Sequence, residues 1–123
     1  MKKTPKIIWA KAPQDHDYPA AASYLSLIYS PARTAKLVKK LQRAPMTQFH
    51  AKDVFRASRL PLLGAHNHHV KKVRAKISLG EKVSPILLVR HKKIGQVVIA
   101  DGYHRMCAVY SFDEDAILPC KIV

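Results

Sequence analysis

Acidic side chains are scarce in this chain. Asp and Glu number 8 against 22 Lys and Arg in 123 residues, a formal net charge of +14. A surplus that large favours polyanions and anionic small molecules as partners and keeps the protein in solution. Cysteine is rarer still, with only Cys107 and Cys120. They form no C-x-x-C pair, so neither a zinc site nor a redox dithiol is signalled. Two isolated cysteines fit a reduced, cytoplasmic setting in which both serve as small core residues. Aromatic residues make up 7% of the chain. None interleaves with a basic cluster, which counts against a base-stacking surface. Long apolar runs are missing too. The basic start Met1-Lys2-Lys3 is followed only by Ile7-Ile8-Trp9-Ala10, short of the ~7–15 apolar residues of an export signal. Nothing approaches the ~20 of a membrane span, so no membrane partner is expected. Internal repeats and low-complexity segments are absent.

What is present argues for one folded α/β domain. Apolar residues reach 48%, and this length buries a core without staples. Residues 6–10 read as a short strand ended by the Pro13-Gln14-Asp15 turn. Asp17 is placed to cap a helix with Tyr18 and Pro19 in its first turn, and Ala21, Leu25 and Ile28 follow at helical spacing. Ser30-Pro31 repeats the start signal for a second helix with Leu37, Val38 and Leu41 on one side and Lys36, Lys39, Lys40 and Arg43 on the other. An extended segment near 48–51 and a helical turn near 53–57 precede the breakers Pro61 and Gly64. Residues 66–79 form a third helical pattern, with Val70, Val73 and Ile77 inward and Gly80 ending it. Residues 85–89 and 96–100, joined by Lys92-Lys93-Ile94-Gly95, read as a hairpin. A helix over 103–111, an acidic loop at 112–115 and a final strand over 117–123 complete the chain.

The junction Asp101-Gly102-Tyr103-His104-Arg105, between a buried strand and a helix, is the candidate functional site. A helix start offers unpaired N–H groups and the positive end of a dipole, and so suits an anion such as a nucleotide phosphate. Gly102 permits the sharp turn and close approach of a ligand. His104 and Arg105 lie in the first turn. Arginine brings a planar fork matched to phosphate oxygens, and histidine brings a proton that moves near neutral pH. Asp101 is placed to cap the helix, to orient His104 or to hold a metal, so Asp101 and His104 are the candidates for proton chemistry. The plainer alternative is a capped surface helix behind a common Asp-Gly turn.

The same stretch carries a resemblance. Pro85-Ile86-Leu87-Leu88-Val89-Arg90, a short turn, Val97-Val98-Ile99-Ala100-Asp101-Gly102-Tyr103-His104-Arg105-Met106-Cys107-Ala108, and Leu118-Pro119-Cys120-Lys121-Ile122-Val123 resemble the core of the ParB/sulfiredoxin superfamily. Its members share a helix, a P-I-x-V strand, a hairpin and a G-x-x-R turn opening the next helix. The resemblance spans about residues 47–123. It implies a small mixed sheet packed with helices over 46–123, with residues 1–45, the strand and helical hairpin, as an added extension of a single domain. It also implies that Gly102, Tyr103, His104 and Arg105 hold the phosphates of a nucleotide such as ATP or CTP, with Mg2+ as a companion ion. Tyr103 stands where sulfiredoxins have their catalytic cysteine, which argues against that activity. His104 stands where chromosome-partitioning ParB proteins have a second arginine. A D-G-x-x-R form is similar to that of the free-serine kinases and ParB-like nucleases of this fold, so a phosphotransferase and a nuclease both stay open.

Other candidates are secondary. Arg56 or Arg59, near His50 and Asp53, is placed by the resemblance at the border of the ligand pocket. His66, His68 and His69 lack an adjacent carboxylate and read as solvated helix-start residues; no metal site is assigned. Asp113-Glu114-Asp115 is the densest acid cluster available to Mg2+. Lys71, Lys72, Arg74 and Lys76 form a basic stripe that would contact phosphates of DNA or RNA. Three functions therefore compete: a nucleotide- or phosphate-binding domain, a basic nucleic-acid-binding protein or nuclease, and a non-catalytic protein-binding module.

Overall fold

The computed structural model describes residues 4–123. In chain order the elements are β1 (Ile8–Trp9), α1 (Asp17–Leu25), α2 (Pro31–Arg43), β2 (Thr47–His50), α3 (Ala51–Ser58), α4 (His68–Ser78), β3 (Lys82–Val83), β4 (Ile86–His91), β5 (Gln96–Asp101), α5 (Tyr103–Phe112) and β6 (Ile117–Ile122). A four-stranded sheet has the order β2-β6-β4-β5. β4 pairs antiparallel with β5 and parallel with β6, and β2 pairs antiparallel with β6. The protein is thus a mixed α/β structure.

The central strand explains the layering. Ile86, Leu87, Leu88 and Val89 are all buried, a run that demands cover on both faces. Side chains alternate along a strand, and the packing follows suit. Ile86 and Leu88 join the core formed with α3, α4 and α5, whereas Leu87 and Val89 join Ala21, Leu25, Leu37 and Leu41 of α1 and α2. The N-terminal hairpin is therefore a full layer of the domain rather than an appendage. Lys121 of β6 fastens it, because its buried ammonium donates to the Gln42 carbonyl near the end of α2 at 2.9 Å and lies 5.6 Å from the Tyr18 ring.

Local signals work as expected at most ends. The Ser30 hydroxyl accepts from the Arg33 N–H, with Pro31 opening α2. After α4, Gly80 takes φ 75°, its N–H donates to the Ile77 carbonyl and the Glu81 N–H donates to that of Lys76. That pair of bonds is a Schellman closure.

Two expectations need correction. Asp17 does not cap α1: the cap position is His16, without a side-chain bond, and the Asp17 carboxylate is buried instead. Ile28 lies beyond the end of α1, which stops at Leu25, and is 43% exposed. The first strand, expected over residues 6–10, spans Ile8–Trp9 and lies outside the four-stranded sheet. β1 pairs in parallel with β3, which periodicity did not reveal because only two residues of each strand pair.

Candidate functional site

β5 ends at Asp101, and the chain turns into α5 at Gly102, which has φ 110°. A Cβ added there would lie 2.6 Å from Ile86 Cδ1 and 3.0 Å from Arg105 Nη2. Glycine is thus required twice, by conformation and by space. No side chain caps α5, so the N–H groups of its first turn have no side-chain acceptor among the described residues, and the positive end of the dipole is left open.

That cleft has a volume of about 290 Å³ and runs between α4 and α5. One face of α4 supplies His69, Lys72, Val73 and Lys76, spaced as neighbours on a single helical stripe. The other wall is Asp101, Gly102, Tyr103, His104 and Arg105. The five residues singled out in the sequence are thus together, joined by two lysines and a histidine from a helix more than 25 positions earlier. A second recess of about 190 Å³ adjoins it, sharing Val73, Lys76 and Arg105 and adding Gln14, His16, Asp17, Lys82 and Ser84. The N-terminal segment therefore reaches the site, a contribution that local sequence signals did not reveal.

Arg105, expected as a phosphate fork, lines the cleft and is bonded within the protein through Nε and Nη2. Its Nε donates to the Ser84 carbonyl at 2.9 Å, and its Nη2 donates to the Pro85 carbonyl at 3.0 Å and to Asp101 Oδ2 at 2.8 Å. The guanidinium ties the start of β4 to the Asp-Gly turn and holds the cleft wall. Asp101 correspondingly neither caps α5 nor touches His104 through a hydrogen bond; its partner is Arg105. Burial pushes the Asp101 carboxyl above its ordinary range, Arg105 pulls it back, and the nearby Asp17 carboxyl pushes it up again. The net direction is upward because burial outweighs the pull of Arg105. Behind this pair, Asp17 accepts from the Ser84 hydroxyl and, at 2.9 Å, from the Gln14 N–H.

The His104 ring lies 4.7 Å from that of His69, centroid to centroid, and 5.5 Å from that of Tyr103. Burial, and secondarily the approach of His69, hold the His104 imidazole below its ordinary value. The Tyr103 hydroxyl donates to the Pro61 carbonyl, and burial raises its phenol. Cys107 and Cys120 are buried free thiols, both raised by burial, Cys120 to about 11.

Several sequence candidates lie elsewhere. Arg56 bonds to Asp53 at 2.9 Å and lines a separate depression with Lys52, Phe55, Tyr110 and Glu114, not the cleft of Gly102. Arg59 is exposed, with φ 57° after α3. Asp115 pairs with Lys52, which keeps the acidic loop at α3 and away from the lysines of the cleft. The α4 stripe is split. Arg74 packs over the Phe112 ring at 4.0 Å and bonds to Ser111, whereas Lys72 and Lys76 face the cleft. His68 stands beside His69 at 5.5 Å, and His66 is exposed. Comparison with protein-family models, with curated proteins and with solved structures finds no match.

Proposed function

We propose that this chain is a nucleotide- or phosphate-binding domain of the ParB/sulfiredoxin type, with the phosphate held at the Asp101 to Arg105 turn. One observation carries the reading: an uncapped helix start at Gly102 opens into a cleft whose facing wall presents Lys72 and Lys76. Backbone N–H groups of Tyr103, His104 and Arg105 supply directed donors to phosphate oxygens. Lys72 and Lys76 supply charge, and His104 adds a donor that gains strength when protonated. Arg105 acts as a brace that keeps the turn in shape. The nucleotide is ATP or CTP in this reading, with Mg2+ entering on the phosphates, and Asp101 and His104 are the groups nearest to any proton transfer.

Calorimetry with ATP and CTP tests it directly. The Lys72→Ala, Lys76→Ala double variant alters two exposed side chains and leaves the fold intact. It should weaken binding by about tenfold or more, equivalent to about 1.4 kcal/mol. Failure of the unaltered protein to bind either nucleotide, or equal affinity in the double variant, sinks the proposal.

A second reading, association with DNA or RNA, is favoured by a different observation. Lys36, Lys39, Lys40 and Arg43 are all exposed on α2, in the opposite layer from α4. Such a face attracts a polyanion without using the cleft.

A further inference from the structure

Two histidines line the cleft beside the lysines, and phosphate binding as described does not require both. His69 stands in the first turn of α4 and His104 in the first turn of α5. Their rings meet across the helix pair at 4.7 Å with planes inclined by 45°. The charged and titratable groups around them are few. α4 brings His68, Lys72 and Lys76; α5 brings Tyr103 and Arg105; β5 brings Asp101, which is turned onto Arg105 with Asp17 of α1 behind it. Among the described residues, no carboxylate lies within ion-pair distance of either ring; the acid pairs of the histidines are His16 with Asp17 and His50 with Asp53. A proton on this pair therefore has two lysines lining the same cleft and no carboxylate paired with it. The counter-charge has to arrive with a ligand.

We infer that His69 and His104 are specificity-determining residues that select a terminal, doubly charged phosphate over a phosphodiester, and that this dianion binds with uptake of a proton at His104. The inference rests on the phosphate reading above. Burial and the approach of His69 hold the proton off His104 in the free protein. A dianion placed beside both rings reverses that balance and turns the imidazole into a charge-assisted donor. A phosphodiester carries one negative charge where the terminal phosphate carries two, and so favours the added proton on His104 less. Coupling is reciprocal, so binding that favours the proton is itself favoured as pH falls toward the value of free His104.

The probes are 5′-AMP and 3′,5′-cyclic AMP, which share base and sugar and differ in ending as monoester or diester. Calorimetry is run at pH 7.5, above the second monoester pKa of about 6, so that the proton taken from the buffer goes to the protein and not to the ligand. Two buffers of different ionisation enthalpy give the number of protons taken up. The expected result is about tenfold tighter binding of AMP, about 1.4 kcal/mol, with net proton uptake. His104→Gln should abolish the uptake, and His69→Gln, at an exposed position that folding tolerates, should reduce both uptake and preference. Equal affinity for the two probes, or a preference that persists in both variants without proton uptake, overturns the inference and leaves the phosphate reading standing. Failure of AMP, cyclic AMP, ATP and inorganic phosphate alike to bind overturns both.

Discussion

Gly102 answers two demands at one position. Its φ of 110° lies where side chains are strained, and the space a Cβ would fill is taken by Ile86 and Arg105. Gly102→Ala should therefore cost about 2–4 kcal/mol, combining the backbone and overpacking penalties. Urea unfolding measures this, and a loss below about 1 kcal/mol would mean that the turn relaxes without strain. Arg105 shows how much of a side chain's bonding lies outside what residue type conveys. An arginine in a first helical turn beside a glycine reads as a phosphate ligand, and residue type alone supports that. Its actual partners are the carbonyls of Ser84 and Pro85 and the Asp101 carboxylate. A side chain with several donors serves whichever acceptors the fold brings within reach, and the carbonyls about 20 positions earlier come within reach only once β4 lies beside β5.

Most elements were legible because their ends carry chemical punctuation. Ser30-Pro31, Gly80 and Lys92 to Gly95 each mark a boundary that local bonds enforce. The hairpin β4–β5, α5 and β6 stand close to where alternation and turn residues place them. The α1–α2 hairpin was legible as two helices but not as a layer. Whether an amphipathic helix covers a sheet or stands apart depends on the far face of β4, which is remote in sequence. Lys121 makes this coupling testable between elements. Its ammonium joins β6 to the Gln42 carbonyl near the end of α2. Lys121→Met keeps the apolar stem and removes the donor, and should lower stability by about 1.5–3 kcal/mol, the range for a hydrogen bond to a charged group. Thermal unfolding of the variant, compared with that of an exposed control such as Lys39→Met, checks it; equal melting temperatures would deny the fastening role.

At the scale of the molecule, positive charge is divided between two layers. The α2 face carries Lys36, Lys39, Lys40 and Arg43, while Lys72 and Lys76 stand at the cleft on the other side of the sheet. Polyanion association through the whole surface should weaken steeply with added salt, the linear log–log dependence of counterion release. A gel-shift titration with duplex DNA over a range of salt measures that slope. The Lys72→Ala, Lys76→Ala variant should keep nearly all of it while losing nucleotide affinity. Loss of both together would place DNA in the cleft and favour the nucleic-acid reading over the nucleotide one. Among the described residues, no helix is long and apolar enough to cross a membrane.

The sequence by itself determined the excess of positive charge, the helices and strands with marked ends, and the strand-to-helix turn at Gly102. These follow from composition, from periodicity and from residues a few positions apart, and all three act before the chain closes on itself. Only the tertiary structure decided what faces that turn. The pairing of α4 with α5 brings His69, Lys72 and Lys76 to the cleft, sends Arg74 to Phe112 and leaves Arg56 at another depression. The layering of α1 against the sheet carries Asp17 inward to Ser84 beside Asp101. Contacts over such separations depend on how faces are buried against one another, and burying the apolar stripe of a helix fixes which of its polar residues are left to line a site.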